Sequence, residues 1–140
     1  MTQSTAVIDS IGEGFRTSRC YRISQEVYDH FVAASGDTNF LHTDDDFARQ
    51  LGFPEKVMHG VILNAFISHF VGVHFPAGRV VLHAVNTQFK SPCHLGDEIR
   101  IDAEVTQVAH AVGAVTLEMV ATNLTRGRVA AKSKVQVGLL

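Results

Sequence analysis

The run His59–Phe75, HGVILNAFISHFVGVHF, limits what this chain can fold into more than any other stretch. As a helix it is apolar around most of its circumference, so other elements must wrap around it to hide it. One row breaks the pattern. Gly60, Asn64, Ser68 and Gly72 recur every fourth residue and form a small-or-polar stripe along one side. Either the stripe lets another backbone come close, with Asn64 and Ser68 bonded internally, or it lines a narrow ligand channel at a dry core. The run is too short, and too interrupted by Asn64, His69 and His74, to span a bilayer.

With 140 residues, 46% of them hydrophobic, the chain has enough apolar surface for one globular domain spanning residues 1–140. A formal net charge of −2 with no basic cluster argues against nucleic acid as a partner. Cys20 and Cys93 lack metal-type spacing and read as reduced thiols of a cytoplasmic protein, although sequence leaves a disulfide open. The first 15 residues, MTQSTAVIDSIGEGF, lack the basic and apolar regions of a signal peptide. Residues 1–13 read as a loose arm. The expectation is a soluble cytoplasmic protein without a membrane partner.

Phe15–Ile23 alternates weakly and predicts a strand. Ser24 then caps a helix with Val27, Tyr28, Phe31 and Val32 on its apolar face, and Gly36 stops it. A loop over 37–43 follows. Thr43 and Asp46 read as a capping box for a second helix with Phe47 and Leu51 facing inward, ended by Gly52 and Pro54. The acidic run Asp44–Asp46 suits the dipole of that helix better than a metal. After the apolar helix, Pro76-Ala77-Gly78 turns the chain. Arg79–Lys90 predicts a long strand, apolar on both faces at first. Ile99, Ile101, Ala103 and Val105 then alternate with charged residues, as a half-buried strand does. Val115–Ala121 and Val129–Val137 repeat the alternation, Gly113 and Arg126-Gly127 mark turns, and the lost phase near Gln107–Val108 suggests a bulge. These elements predict an α+β fold, an antiparallel meander of four strands curled around a long central helix.

The chemistry concentrates in Asp37-Thr-Asn-Phe-Leu-His42, a loop held at both ends. A carboxylate and an imidazole that close can converge on one water; equally, Asp37 and Asn39 can simply form Asx turns. The wider pattern is more specific. Phe31, Ala33, Ser35, Gly36, Asp37, Asn39, His42, Asp44, Ala48, His59, Gly60 and Ser68 fall at matching positions. Phe89-Lys-Ser-Pro-Cys-His-Leu-Gly-Asp97 adds a second matching segment. On these residues the chain resembles the MaoC-like dehydratases, and among them the (R)-specific enoyl-CoA hydratases, over roughly residues 15–137.

That resemblance implies a hot-dog fold, a homodimer, and an acyl-CoA substrate lying along the central helix. It implies Asp37 and His42 as the catalytic pair, the Gly60 backbone N–H as oxyanion donor, and Ser68 as a pocket residue; Asn39, Phe40 and Asn64 are counted with the pocket. A backbone N–H at a helix start in a water-poor site suits the charge that grows on a thioester oxygen, and such a donor is worth about 3–4 kcal/mol of barrier. No metal and no redox cofactor is expected. Lys90, Arg126 and Arg128 are candidates for CoA phosphates. His59 reads as structural support for the helix start, and the remaining histidines as surface or satisfied core positions. The family pattern has proline where this chain has Phe40, which leaves the loop backbone freer and adds bulk. The competing functions are a 3-hydroxyacyl carrier-protein dehydratase, a hot-dog acyl-CoA thioesterase, and a non-catalytic acyl-CoA-binding protein.

Overall fold

The computed structural model describes residues 9–140. The first strand, β1 (Arg16–Arg22), leads to helix α1 (Gln25–Ser35). The Ser24 side chain accepts the Val27 N–H, and Gly36 takes the left-handed conformation (φ 68°) that lets its N–H close on the Val32 carbonyl. The loop expected over 37–43 is partly helical, because Phe40–Thr43 forms a single turn, α2, capped by the Asn39 side chain. Thr43 is therefore not the cap of the next helix. Its hydroxyl bonds back to the Thr38 and Asn39 carbonyls, while Asp44 accepts the Phe47 N–H and caps α3 (Asp45–Gln50). On α3 the buried residue is Ala48, and Leu51, expected to face inward, is 57% exposed. Asp45 accepts the Lys56 N–H and Asp46 pairs with Arg49. The acidic run thus serves helix and loop.

The apolar run is shorter as an α-helix than its composition suggests. Helix α4 covers Ile62–His69, and the next five residues, Phe70–His74, continue as one wide turn of π-helix. Ile62, Leu63, Phe66, Ile67, Phe70 and Val71 are buried, but Val61, Ala65, Ser68, Gly72 and Val73 are exposed, so one side of the rod is uncovered in the single chain.

Strands β2 (Val80–Phe89), β3 (Glu98–Ala109), β4 (Ala114–Asn123) and β5 (Arg128–Leu139) complete one antiparallel sheet in the order β1-β3-β4-β5-β2. The expected four-strand meander is thus only three strands long. β2 crosses over to pair with β5, and β1 takes the place beside β3. The bulge lies where the phase slips, between Val105 and Gln107. Inward residues Ile99, Ile101, Val105, Leu117, Val135 and Val137 are at most 1% exposed and close on α4. Two side-chain bonds tie the helix to β1: Tyr21 with His69 and Thr17 with His74. This is the hot-dog arrangement, a sheet curled around a helix. Of the arm expected over 1–13, residues 1–8 lie outside the described residues. Ile11 is not loose, since it is 2% exposed and joins the core.

Asp97 holds together the end of the sheet where the 91–97 turn meets Ile23. Its carboxylate accepts from the His94 N–H, the Asn123 amide and the Arg126 guanidinium at 2.7–2.9 Å. Burial favours its neutral form, but these three donors outweigh burial and hold the carboxyl below its ordinary range. A lowered carboxylate contributes stability above its unfolded value and loses it as pH falls through the folded value. Wild type is therefore expected to exceed Asp97→Asn in urea-unfolding free energy at neutral pH, with the gap closing below the ordinary carboxylate range. Phe70→Ala, at a fully buried site, is expected to cost about 3–5 kcal/mol in the same measurement.

Candidate active site

The three turns between α1 and α4 converge on one cavity. Its volume is about 410 Å³, and Asp37, His42, His59, Gly60 and Ser91 form its polar part. Ile23, Val57, Met58, Leu63, Phe89 and Cys93 supply much of the apolar wall. Asp37 sits just past the Gly36 helix stop. Its N–H bonds to the Ser35 hydroxyl and its Oδ1 accepts the Asn39 N–H, an Asx turn that aims the carboxylate. The Asx turn read from sequence is present, and Asp37 and His42 line the same cavity.

His42 lies five residues on, in the α2 turn. Its backbone carbonyl accepts the Tyr28 hydroxyl at 2.7 Å, and its Nδ1 lies 2.7 Å from the Val57 carbonyl. A carbonyl can only accept, so Nδ1 carries the proton and Nε2 of the neutral ring carries a lone pair. The same reasoning applies to His59, whose Nε2–H donates to the Asp37 carbonyl at 2.9 Å. The two imidazoles lie against each other, with centroids 4.0 Å apart and planes at 32°. One ligand-type atom from each of Asp37, His42 and His59 falls within 4.8 Å of the other two. Each of the two rings donates one N–H to a backbone carbonyl, which fixes its orientation at the cavity.

Gly60 opens the turn that leads into α4, and its carbonyl accepts the Leu63 N–H. A Cβ here would lie 3.1–3.3 Å from the Phe89 ring, so glycine lets the cavity wall close. Asn64 belongs to a different network. Its Oδ1 accepts the Thr87 hydroxyl, which in turn meets Ser133. Neither Asn64 nor Ser68 lines this cavity, and Ser68 is exposed. Asn39 caps α2 and Phe40 is 67% exposed against Phe47, so both support the loop from outside. The Arg126 side chain is tied to Asp97, Arg128 donates to the Pro92 carbonyl, and Lys90 bonds Gln88 at the surface.

Sequence reasoning missed most of the apolar wall. Phe89, Pro92 and Cys93 stood in a matching segment, but nothing local says that this turn comes back to the Asp37 loop. The fold brings it there through the Met58 N–H, bonded to the Cys93 carbonyl at 2.9 Å.

A MaoC-like domain family model matches residues 6–128. The chain belongs to that family. The (R)-specific enoyl-CoA hydratase of Rhodospirillum rubrum is 30% identical over 98 residues, 70% of this chain and 68% of that protein. A mitochondrial 3-hydroxyacyl-[acyl-carrier-protein] dehydratase of Arabidopsis thaliana is 32% identical over 89 residues, 64% of this chain but only 51% of its own length. Among solved structures, the (R)-hydratase from A. caviae superposes with a TM-score of 0.85 at 27% identity, covering 94% of this chain and 98% of that one.

Phe40 stands where the MaoC-like loop would also accept a proline. It is the first residue of α2, where a proline's missing N–H costs nothing, and Asn39 before it is extended (φ −53°, ψ 138°), as a residue preceding proline must be. Phe40→Pro is expected to leave activity intact and to raise stability by about 0.4–1 kcal/mol, read by thermal unfolding.

Proposed function

We propose that this MaoC-like protein adds water to a trans-2-enoyl-CoA to give the (R)-3-hydroxyacyl-CoA, and catalyses the reverse dehydration. The observation that carries the reading is the meeting of Asp37, His42 and Gly60 on one largely apolar cavity. Atoms within 4.8 Å of each other can share a single water, because hydrogen bonds of about 2.6–3.2 Å to each span that gap. The lone pair at His42 Nε2 takes the water proton as the oxygen attacks C3. The pair then returns a proton to C2, and Asp37 balances the charge on the imidazole meanwhile. Negative charge on the thioester oxygen is met by the Gly60 N–H at the entrance to α4. Addition of water changes no net oxidation level, so the reaction calls for no redox cofactor.

A homodimer belongs to the same reading. Edge strand β2 exposes Val81, Leu82 and Phe89, and the open side of the helix exposes Val61 and Val73. A second copy covering these residues would shield Ser68 and dry the mouth of the cavity. Lys90 and Arg128 flank the segment that carries Phe89, Ser91 and Pro92, which suits contact with CoA phosphates. The Arabidopsis relative supports carrier-protein thioesters as the alternative substrate.

Crotonyl-CoA and longer enoyl-CoAs, followed by loss of enoyl thioester absorbance, test the reaction; parallel carrier-protein thioesters test the carrier, and a thiol-reactive dye would reveal thioester hydrolysis instead. Wild type is expected to turn over at least one enoyl-CoA, and no turnover at any chain length would defeat the reading. Asp37→Asn and His42→Ala are each expected to lower kcat by about 10²–10⁴-fold with the circular dichroism spectrum unchanged.

A further inference from the structure

We infer that His59 is a positioning residue for the Asp37–His42 pair, holding the Asp37 backbone through Nε2–H and the His42 ring through its own face. The inference rests on the reading of Asp37 and His42 as the reacting groups. His59 is 2% exposed and its Nδ1 has no hydrogen-bond partner, the one such buried side-chain atom among the described residues. Tyr28 and Phe31 pack against its ring, at centroid distances of 5.9 and 4.8 Å. A phenylalanine in such a wall would strand no nitrogen of its own, but it would leave the Asp37 carbonyl without this donor. The imidazole is kept there despite its stranded nitrogen, and the compensating contact is the 2.9 Å bond to Asp37.

That bond reaches the hinge of the site. Asp37 has an exposed side chain, and the other hydrogen bonds of the residue itself are local, to Ser35 and Asn39. The His59 bond spans 22 residues and ties the Asp37 loop to the residue next to Gly60. The face of the same ring then limits how far the His42 imidazole can tilt, while Val57 fixes its rotation. One side chain therefore touches the residue that carries the carboxylate and the ring that carries the base, beside the oxyanion donor, and small displacements among such groups are expensive in rate.

The test compares His59→Gln, whose amide nitrogen reaches roughly where Nε2 stands, with His59→Asn, whose amide stops short of Asp37. Hydration of crotonyl-CoA and longer enoyl-CoAs is followed with ¹⁵N-histidine spectra of each protein. Glutamine is expected to keep kcat within about threefold of wild type, and asparagine to lower it about tenfold to a hundredfold with KM within about twofold. The spectra are expected to show His42 fixed with its proton on Nδ1 in wild type and in His59→Gln, and averaging between tautomers in His59→Asn. Full activity of the asparagine variant, or equal loss in both variants with an unchanged His42 signal, would overturn the inference. Should His59→Asn not fold, His59→Phe, which keeps the bulk and removes the donor, takes its place with the same expectations. If wild type hydrates no enoyl thioester, the proposed reaction fails separately. The His42 spectrum then decides alone, an unchanged signal in the donor-less variant counting against the role of His59.

Discussion

The burial of one side of helix α4 in the concave face of the sheet is the constraint on which the rest of this structure depends. Phe66, Ile67, Phe70 and Val71 have no other way to leave water, and the inward rows of β3, β4 and β5 have no other partner. Wrapping the sheet around the helix fixes where the helix begins. Just before that start, in the Gly60 turn, a backbone N–H, a buried imidazole and the end of the Asp37 loop come together. The site is thus built at the mouth of the core, where an apolar wall is already present and water is partly excluded.

Around that mouth the chain uses short, local devices to aim groups and long-range bonds to hold them. The Asx turn at Asp37, the Asn39 cap and the Asp44 cap are local, each closed within a few residues. The bonds from Tyr28 to His42, from His42 to Val57, from His59 to Asp37 and from Met58 to Cys93 are not. The first set explains why the loop has its shape; the second explains why that shape has one position relative to the cavity. Asp97 performs the corresponding task for the turn that carries Pro92 and Cys93, gathering His94, Asn123 and Arg126 on one carboxylate. Arg126, a candidate for CoA phosphates from sequence, pairs in the fold through its half-buried guanidinium with the buried Asp97 carboxylate.

The small-or-polar stripe on the helix turns out to be divided in use. Gly60 sits at the cavity, Asn64 joins Thr87 and Ser133 in an internal network, and Ser68 and Gly72 lie on the open side. Neither of the two simple readings of the stripe covers all four positions.

Legible in the amino-acid order alone were the features set by near neighbours. Alternation at Ile99–Val105 and Val115–Ala121, the Ser24 cap and Gly36 stop, the slip near Gln107 and the match of Asp37, His42, His59 and Gly60 to the MaoC-like pattern all follow from short-range periodicity or spacing. Tertiary structure decided what depends on residues far apart in the chain. It chose the partner of β2, since a strand's alternation names its inner face but not its neighbour. It chose Asp44 over Thr43 as the cap, because Thr43 was already bound into the turn before it. It also raised His59 from a residue beside a glycine to a contact between two loops, since only packing shows which carbonyl lies within reach of a buried ring.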